Sequence, residues 1–140
     1  MALPHQLQLH IVSAERSLVS DTVDEVEIPG AQGYFGVLPG HTPLLALLGA
    51  GELWYRRWQE THFLSIAFGF AEIQPDRATI LAQVAERADE IDVARAEAAK
   101  RRAEERLRQP GADMDFERAR IALLKSLVRL QVSTRARIRS

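Results

Sequence analysis

Hydrophobic and polar residues alternate over the first half of the chain. Leu7, Leu9 and Ile11 are separated by polar residues, and Val26 and Ile28 are separated by a glutamate. A period of two is typical of strands with one buried face. Further runs of strand-favouring residues lie at 44–48, 53–58, 63–70, 71–74 and 78–82, with no segment of helical period among them. The pattern predicts many short strands in a β-sandwich or barrel.

Glycines mark two places in this half of the chain. The run 44–48 is continuously apolar and is followed by Gly49-Ala50-Gly51, so it suits a short strand that is buried on both faces and ends at the glycines. Just before it, the segment from Gly33 to Pro43 contains three glycines and two prolines. Glycine permits positive φ and proline fixes φ, so this segment is predicted to form a pair of turns rather than a regular element.

The pattern changes near Val84, after which the chain is rich in Ala, Glu, Arg and Leu, which favour helices. Its one proline and one glycine there are adjacent at Pro110-Gly111. We therefore predict a mixed fold, with a β domain at 1–86 and an antiparallel two-helix hairpin at 87–140 that breaks at 109–113. Asp92 can cap the first helix. The predicted inner stripes are Ala96, Ala99, Ala103 and Leu107 on the first helix, and Phe116, Ala119, Leu123, Leu127 and Leu130 on the second, widened by Ile121, Leu124 and Val128.

Charge is unevenly distributed, although the formal net charge is only -1. Residues 1–86 carry ten acidic and four basic side chains, whereas residues 115–140 carry two acidic and seven basic ones. A basic end on an acidic body predicts an acidic partner, which is a protein, a nucleotide or a nucleic acid.

No catalytic or metal-binding set is evident in the sequence. The four histidines, at positions 5, 10, 41 and 62, lack the spacing of metal ligands on a helix. No serine has the context of a nucleophile elbow, and no segment matches a phosphate-binding loop. The absence of cysteine excludes disulfides and zinc–thiolate sites. Because no catalytic set is found, we do not expect an enzyme. Because no signal peptide and no long apolar run are found, we expect a soluble or peripheral protein.

The basic C-terminal stretch has two competing interpretations. Its cations are Arg118, Arg120, Lys125, Arg129, Arg135, Arg137 and Arg139. They could contact phosphates, which makes a nucleic-acid-binding module the alternative function. However, no aromatic residue interleaves them, and the acidic body would repel a duplex. We therefore favour an acidic protein partner over nucleic acid.

Several short motifs stand out when the whole chain is considered. They are Val12 to Arg16 with Leu18, Val26 to Pro29, the Gly-Val-Leu-Pro-Gly-His-Thr-Pro-Leu-Leu segment at 36–45, Phe70 to Pro75, Ala85 to Ala88, and Ile91 to Ala96. In their order and spacing they resemble the epsilon subunit of F-type ATP synthase over essentially the full length of the chain. The resemblance implies a ten-stranded β-sandwich followed by a two-helix hairpin, in a non-catalytic subunit of the central rotor that requires no cofactor and no metal.

The resemblance also implies two contacts for the β domain. Pro39, Gly40 and His41 are expected to lie against the gamma subunit. Gln32, Gly33 and Tyr34 are expected to meet the membrane ring of c subunits, which places the protein peripherally at the cytoplasmic face of the bacterial plasma membrane. Many relatives have an acidic residue where Tyr34 stands, so a polar ring contact at that position is not expected to carry over unchanged.

For the hairpin, the resemblance implies regulation of ATP hydrolysis. When the hairpin extends along gamma, Arg118, Arg120, Lys125 and Arg129 are the cations available to contact an acidic loop of the beta subunit and to obstruct rotation. Some relatives bind ATP on the folded hairpin, and the matching positions here are Glu86, Ile91, Asp92, Arg95, Ala96, Lys125 and Arg129. The alternative is that Asp92 only caps its helix and that Arg95 pairs with it or with Asp89.

Overall fold

The computed structural model describes residues 4–109 and 113–139, with the backbone alone for residues 113–114 and 136–139. The chain forms two compact units, of which the first ends at Arg87 and the second begins at Ala88. We call them the β unit and the helical unit. Within the described residues, no helix combines the length and apolar character needed to span a membrane.

The β unit is one seven-stranded sheet. Its strands are β1 (Leu7–Ser13), β2 (Ser17–Val23), β3 (Glu25–Gly30), β4 (Gly33–Val37), β5 (Leu44–Arg57), β6 (Glu60–Gln74) and β7 (Arg77–Arg87). Their order across the sheet is β2-β1-β7-β6-β5-β3-β4. Neighbours are antiparallel, except that β1 pairs in parallel with β7.

The three long strands bend at a common level. In β6, Leu64 and Ile66 are buried on one side of this level and Ala71 and Ile73 on the other, so the period of two slips by one residue between them. Gly69 lies at the slip, where it pairs with β5 and with β7. A slip of one residue turns the opposite face of the strand toward the core, which allows one sheet to fold over itself.

The folded sheet encloses one core, to which all seven strands contribute. Arg57 of β5 forms an ion pair of 3.1 Å with Asp21 of β2, although three strands separate β5 from β2 in the sheet. The guanidinium of Arg87 in β7 also donates a hydrogen bond to the carbonyl of Leu18 in β2. These contacts support the two-layered, sandwich-like packing that was predicted.

The predicted number of ten strands is wrong, because the part of the chain that the structure describes forms one sheet of seven strands. Gly49-Ala50-Gly51 does not end a strand, since it lies inside β5, which is 14 residues long and continues to Arg57. In β6 the bend uses positive φ at Phe68 (62°) and Gly69 (121°), and a Cβ on Gly69 would collide with the carbonyl oxygen of Leu81. Positive φ at Phe68 and Gly69 therefore lets one strand turn the corner where the sequence pattern indicates two separate strands.

The helical unit consists of a short 3-10 turn (Ala88–Glu90), α1 (Val93–Arg108) and α2 (Asp113–Arg139). The turn and α1 both pack against α2. The predicted helix break lies partly outside the described residues, which end at Gln109 and resume at Asp113. Gln109 is the C-cap of α1, and its backbone N–H donates to the carbonyl of Arg106 over 3.2 Å. A two-helix hairpin after a β domain was correctly predicted.

Small residues form the seam of the hairpin. On α1, Ala96 and Ala103 are buried, as predicted. On α2, the small residues Ala119, Ser126 and Ser133 are buried at intervals of seven. The prediction placed Phe116 and Leu127 on the inner stripe of α2, but their exposed fractions are 52% and 43%. Val128 and Val132 of α2 are buried as well. Small side chains permit a closer approach of two helices, so they occupy most of the seam, whereas Phe116 and Leu127 project outward.

Candidate functional site

The predicted ring-contact residues lie together on the β3–β4 hairpin. Gly30 pairs with Gly33, which leaves Ala31 and Gln32 as a two-residue turn. Gln32 is exposed, and Gly33 has φ of 133°, a conformation that L side chains rarely adopt. The side chain of Tyr34 is 57% exposed. The hairpin therefore presents these residues as one contiguous surface.

The predicted gamma-contact residues lie in the connection between β4 and β5. The N–H of Gly40 donates to the carbonyl of Pro75 over 2.7 Å, which ties this loop to the β6–β7 turn. Gly40 has φ of 88°, so the loop needs glycine there. His41 lies against its own loop, since its Nδ1 is 2.6 Å from the carbonyl oxygen of Thr42 and can only donate to it. Pro39, Gly40 and His41 thus form one fixed loop.

An exposed apolar row, defined here as Leu47, Phe70 and Leu81, crosses the outer face of the sheet. Leu47 pairs with Phe70 and Phe70 with Leu81, so the three residues are direct cross-strand neighbours. Their exposed fractions are 59%, 50% and 50%. Leu45, two residues before Leu47 on the same face of β5, is 71% exposed. Contiguous exposed apolar surface of this kind marks an interaction site.

Sequence reasoning missed this row because it assigned residues 44–48 to a strand buried on both faces. Only Leu48 of that run is buried, whereas Leu44, Leu45 and Leu47 are exposed. A continuous apolar run indicates that both faces of a strand avoid water, but it does not reveal whether the chain itself or a partner covers the second face. The sequence did offer one indication that a partner covers this run, because the run lies close to the 39–41 loop, which was a predicted contact.

Three of the predicted ATP-binding positions have structural roles at the start of α1. Asp92 is the N-cap, and its Oδ1 accepts the backbone N–H of Arg95 over 3.1 Å. Ile91 and Ala96 are buried, with exposed fractions of 8% and 0%. The capping role that the sequence offered as an alternative for Asp92 is therefore present. The side chain of Arg95 is exposed.

The antiparallel register brings Arg95 level with the basic part of α2. A cavity of about 120 Å³ between the helices is lined by Ala99, Arg102, Ala103, Arg106, Ala119 and Ala122, which sets Ala103 beside Ala119 and Ala122. Arg95 lies about 12 Å before Ala103 along the axis, at 1.5 Å per residue. The same distance along α2 from the cavity reaches residues 127–130. Lys125 and Arg129, both partly buried, lie at or next to that level. Glu86 belongs to β7 of the other unit.

The four predicted beta-contact cations do not share one side of α2. Arg118, Lys125 and Arg129 are separated by seven and four residues, so they form one stripe, which we call the basic stripe. Arg120 points to the opposite side, and its guanidinium donates two hydrogen bonds to the carboxylate of Glu117, over 3.3 and 3.1 Å. The hydrogen bond with Glu117 raises the pKa of the Arg120 guanidinium above its ordinary value. Across residues 4–109 and 113–139, no group of three or more His, Asp or Glu side chains could hold a metal ion.

Comparison with protein families matches both units. The sequence model described as "ATP synthase, Delta/Epsilon chain, beta-sandwich domain" matches residues 6–88. The one described as "ATP synthase, Delta/Epsilon chain, long alpha-helix domain" matches residues 89–134. Together the two matches cover nearly the whole chain.

Curated relatives cover the same span. An ATP synthase epsilon chain of Syntrophobacter fumaroxidans is 46% identical over 131 residues, which are 94% of this chain and 98% of that one. An ATP synthase epsilon chain of Herpetosiphon aurantiacus is 48% identical over 127 residues, which are 91% and 93% of the two chains.

Solved structures show the same fold at much lower identity. A chain in the cryo-EM structure of the Euglena gracilis mitochondrial ATP synthase matches with a TM-score of 0.84 at 23% identity, covering 96% of this chain and 84% of that one. A chain in the central stalk and c-ring structure of the Tetrahymena thermophila mitochondrial ATP synthase matches with a TM-score of 0.63 at 8% identity, covering 96% and 98%.

Proposed function

Because the chain belongs to the delta/epsilon chain family of ATP synthases, as a non-catalytic member, we propose that it is the epsilon-type subunit of the central stalk in an F-type complex. In this role it turns with gamma and the c-ring, and it thereby helps to couple proton-driven rotation of the ring to ATP synthesis. Its helical unit restrains ATP hydrolysis. The protein is peripheral, held at the cytoplasmic face of the bacterial plasma membrane through the complex.

The exposed apolar row is the observation that carries the proposed gamma contact. Leu47, Phe70 and Leu81 are each at least 50% exposed and adjoin one another across three strands. Burial of apolar surface contributes about 25 cal/mol per Å², so a partner that covers the row gains substantial free energy. The loop of Pro39, Gly40 and His41 leads directly into β5, which carries Leu47. We therefore assign gamma to this face and to the loop beside it.

The ring contact is assigned to the β3–β4 hairpin. Gln32, Gly33 and Tyr34 are exposed on it, and the hairpin is held at a fixed position because the N–H of Ala31 donates to the carbonyl of Leu47 over 2.8 Å. A fixed, exposed hairpin suits transmission of torque, since a rigid contact does not absorb rotation.

The basic stripe supports the role of the helical unit as a brake. Arg118, Lys125 and Arg129 give one side of α2 a positive charge, which suits an acidic loop of the beta subunit. Arg120, on the other side of the helix, would contribute separately. The subunit contacts alpha and beta only when its hairpin is extended.

Truncation of the chain after Glu90 tests the brake. We expect the truncated subunit to assemble with gamma and to raise ATP hydrolysis of the complex severalfold, because α1 and α2 are removed while the β unit is retained. The comparison is made between purified complexes of equal subunit composition. Unchanged hydrolysis in a correctly assembled truncated complex would contradict the brake, and loss of assembly would contradict the division between docking and control.

We also propose ATP as a regulatory ligand of the compact hairpin. The shared level of Arg95, Lys125 and Arg129 supports this, since three cations at one level can bind phosphates. A ligand holds one state only by binding it preferentially, and a shift from 1:99 to 99:1 requires about 5.5 kcal/mol of differential affinity. Calorimetric titration of the full chain with ATP is expected to give heat that Arg95→Ala diminishes. No heat at millimolar ATP would eliminate this ligand.

A further inference from the structure

Tyr34 reaches across the sheet from the β3–β4 hairpin. It pairs with Pro29 of β3, and β3 lies between β4 and β5. Its hydroxyl passes over β3 and accepts the backbone N–H of Glu52 in β5 over 3.1 Å. A single side chain therefore connects the edge strand to the second strand inward.

The hydroxyl fills a gap in the ladder between β3 and β5. Regular pairing stops after Glu27 with Trp54 and resumes at Gly30 with Leu48, and Pro29 between them has no N–H to donate. The N–H of Glu52 lies in this interval, and Glu52 itself is 8% exposed. A buried N–H without an acceptor costs about 1–3 kcal/mol. Tyr34 supplies the acceptor.

Gly51 makes room for this arrangement. A Cβ at Gly51 would collide with the Tyr34 hydroxyl and with Pro29. The backbone of β5 is thus bare where the tyrosine ring crosses β3. Since 57% of the Tyr34 side chain remains exposed, its outer surface is available to a partner even though its hydroxyl is engaged.

The tip of the hairpin carries no charged side chain. No Asp, Glu, Lys or Arg occurs in the sequence between Glu27 and Glu52. The exposed groups at the tip are the methyl group of Ala31, the amide of Gln32, the backbone of Gly33 and the outer surface of Tyr34. Such a surface can hydrogen-bond and make aromatic contacts, but it cannot form ion pairs.

On the premise of the proposed ring contact, we propose that Tyr34 is a positioning residue. Its hydroxyl fixes the β3–β4 hairpin on β5, so that the hairpin meets the ring as a rigid, uncharged surface. Docking at this point is therefore insensitive to salt, because no exposed ion pair is present to be screened.

The test uses the full-length chain bound to gamma, with purified c-ring in detergent as the probe. Tyr34→Phe removes only the hydroxyl, and we expect dissociation from the ring to become about fivefold faster, as for the loss of one hydrogen bond. Tyr55→Phe is the control, since Tyr55 is the only other tyrosine in the sequence and pairs with Val26, at the opposite end of β3 from the hairpin turn. We expect this control to dissociate as the wild type does.

Salt dependence gives a readout that a purely structural role would not move. Between about 50 and 300 mM salt, we expect wild-type dissociation to change less than about twofold. Tyr34→Glu should make dissociation both faster and dependent on salt. Gly51→Ala displaces the tyrosine from the other side, so its effect should not add to that of Tyr34→Phe.

The possible results distinguish failure of the role proposed for Tyr34 from failure of the proposed ring contact. If the gamma complex binds the ring but Tyr34→Phe dissociates as the wild type does, Tyr34 does not position the hairpin. If wild-type dissociation accelerates steeply with salt, the contact depends on charge, and the uncharged surface is refuted. If gamma binds normally and the complex fails to bind the ring at all, the proposed ring contact falls and the inference falls with it.

Discussion

The two units of the molecule differ in the size of the side chains that they bury. In the β unit, the largest fully buried residues are leucine, isoleucine and valine, as at Leu9, Ile28 and Ile66. In the described part of the helical unit, most of the buried seam is alanine and serine, as at Ala96 and Ser126, and the larger buried residues of α2 are Val128 and Val132. Burial of a leucine or isoleucine stabilises by about 1.5–3 kcal/mol, and an alanine contributes much less.

This difference separates a rigid unit from one that can open. The β unit has a single core to which seven strands contribute, so its surface loops keep fixed positions. The helices, of 16 and 27 residues, meet mainly through small side chains. Their stability depends on this packing, which contributes little free energy per residue. Elements that move in regulation come from the low-stability end of a structure. A subunit that must stay attached and yet change state benefits from this division.

Matched substitutions of two half-exposed phenylalanines give the largest expected effect. Phe70 in the β unit and Phe116 in the helical unit are 50% and 52% exposed. We expect Phe70→Glu to weaken binding of gamma about 100-fold, or about 2.7 kcal/mol, because it places an unpaired charge in an apolar interface. Phe116→Glu should leave gamma binding within about twofold.

The measurement is the equilibrium affinity of the full-length variants for gamma, together with their urea unfolding. Both sites are exposed, so each substitution should change the free energy of unfolding by no more than about 0.5 kcal/mol. Equal weakening by the two variants would remove the distinction between docking and control. Normal binding by Phe70→Glu would exclude the apolar row as the gamma contact.

Overpacking of the helix seam gives the next effect. Ala96 is completely buried on α1, and Ala94, two residues earlier, is exposed. We expect Ala96→Leu to destabilise the hairpin by about 1–3 kcal/mol, since the close approach leaves no space for a larger side chain. Ala94→Leu is the control, for which we expect almost no change. Amide hydrogen exchange of the isolated full-length subunit measures the effect on α1 and α2.

The same experiment reports on the independence of the units. Exchange in α1 should accelerate by about 5- to 150-fold in Ala96→Leu, while exchange in β6 should stay unchanged. Acceleration in both units would show that they unfold together, and the rigid-and-mobile distinction would fail. In the assembled complex, a less stable compact hairpin should strengthen inhibition of hydrolysis, because the extended state gains population.

The sequence predicted the elements of each unit better than their faces. The alternation in β1 and β3 and the change of period near Val84 identified strands followed by helices, because these patterns are local. The bend at Gly69 was not predictable, since a slip of the alternation resembles the end of one strand and the start of another. In α2, the rule that large apolar residues face inward misplaced Phe116, because the seam is set by how closely the helices approach.

The candidate site divides in the same way. The motif at 91–96 was read from the sequence, and so was the ability of Asp92 to cap α1. The link from Tyr34 to Glu52 depends on residues 18 positions apart across an intervening strand, and no local pattern encodes it. The apolar row was missed for a related reason, since pairing of Leu47 with Phe70 and of Phe70 with Leu81 emerges only from the register of the sheet.

The smallest effect concerns Asp92, for which capping and nucleotide binding make different predictions. The carboxylate accepts the N–H of Arg95, so Asp92→Ala should cost about 1 kcal/mol of helix stability and increase exchange in the first turn of α1. Asp92→Asn keeps an oxygen that can accept the same hydrogen bond, so exchange should stay close to the wild type.

If Asp92 also contacts ATP through its charge, Asp92→Asn should weaken ATP binding in calorimetry while the helix stays capped. If Asp92 only caps, the two variants should differ in exchange and agree with the wild type in any heat of ATP binding. Weaker ATP binding by Asp92→Asn with unchanged exchange would show that Asp92 contacts the ligand. Weaker ATP binding by Asp92→Ala alone would show that ATP binding depends on the conformation of the hairpin.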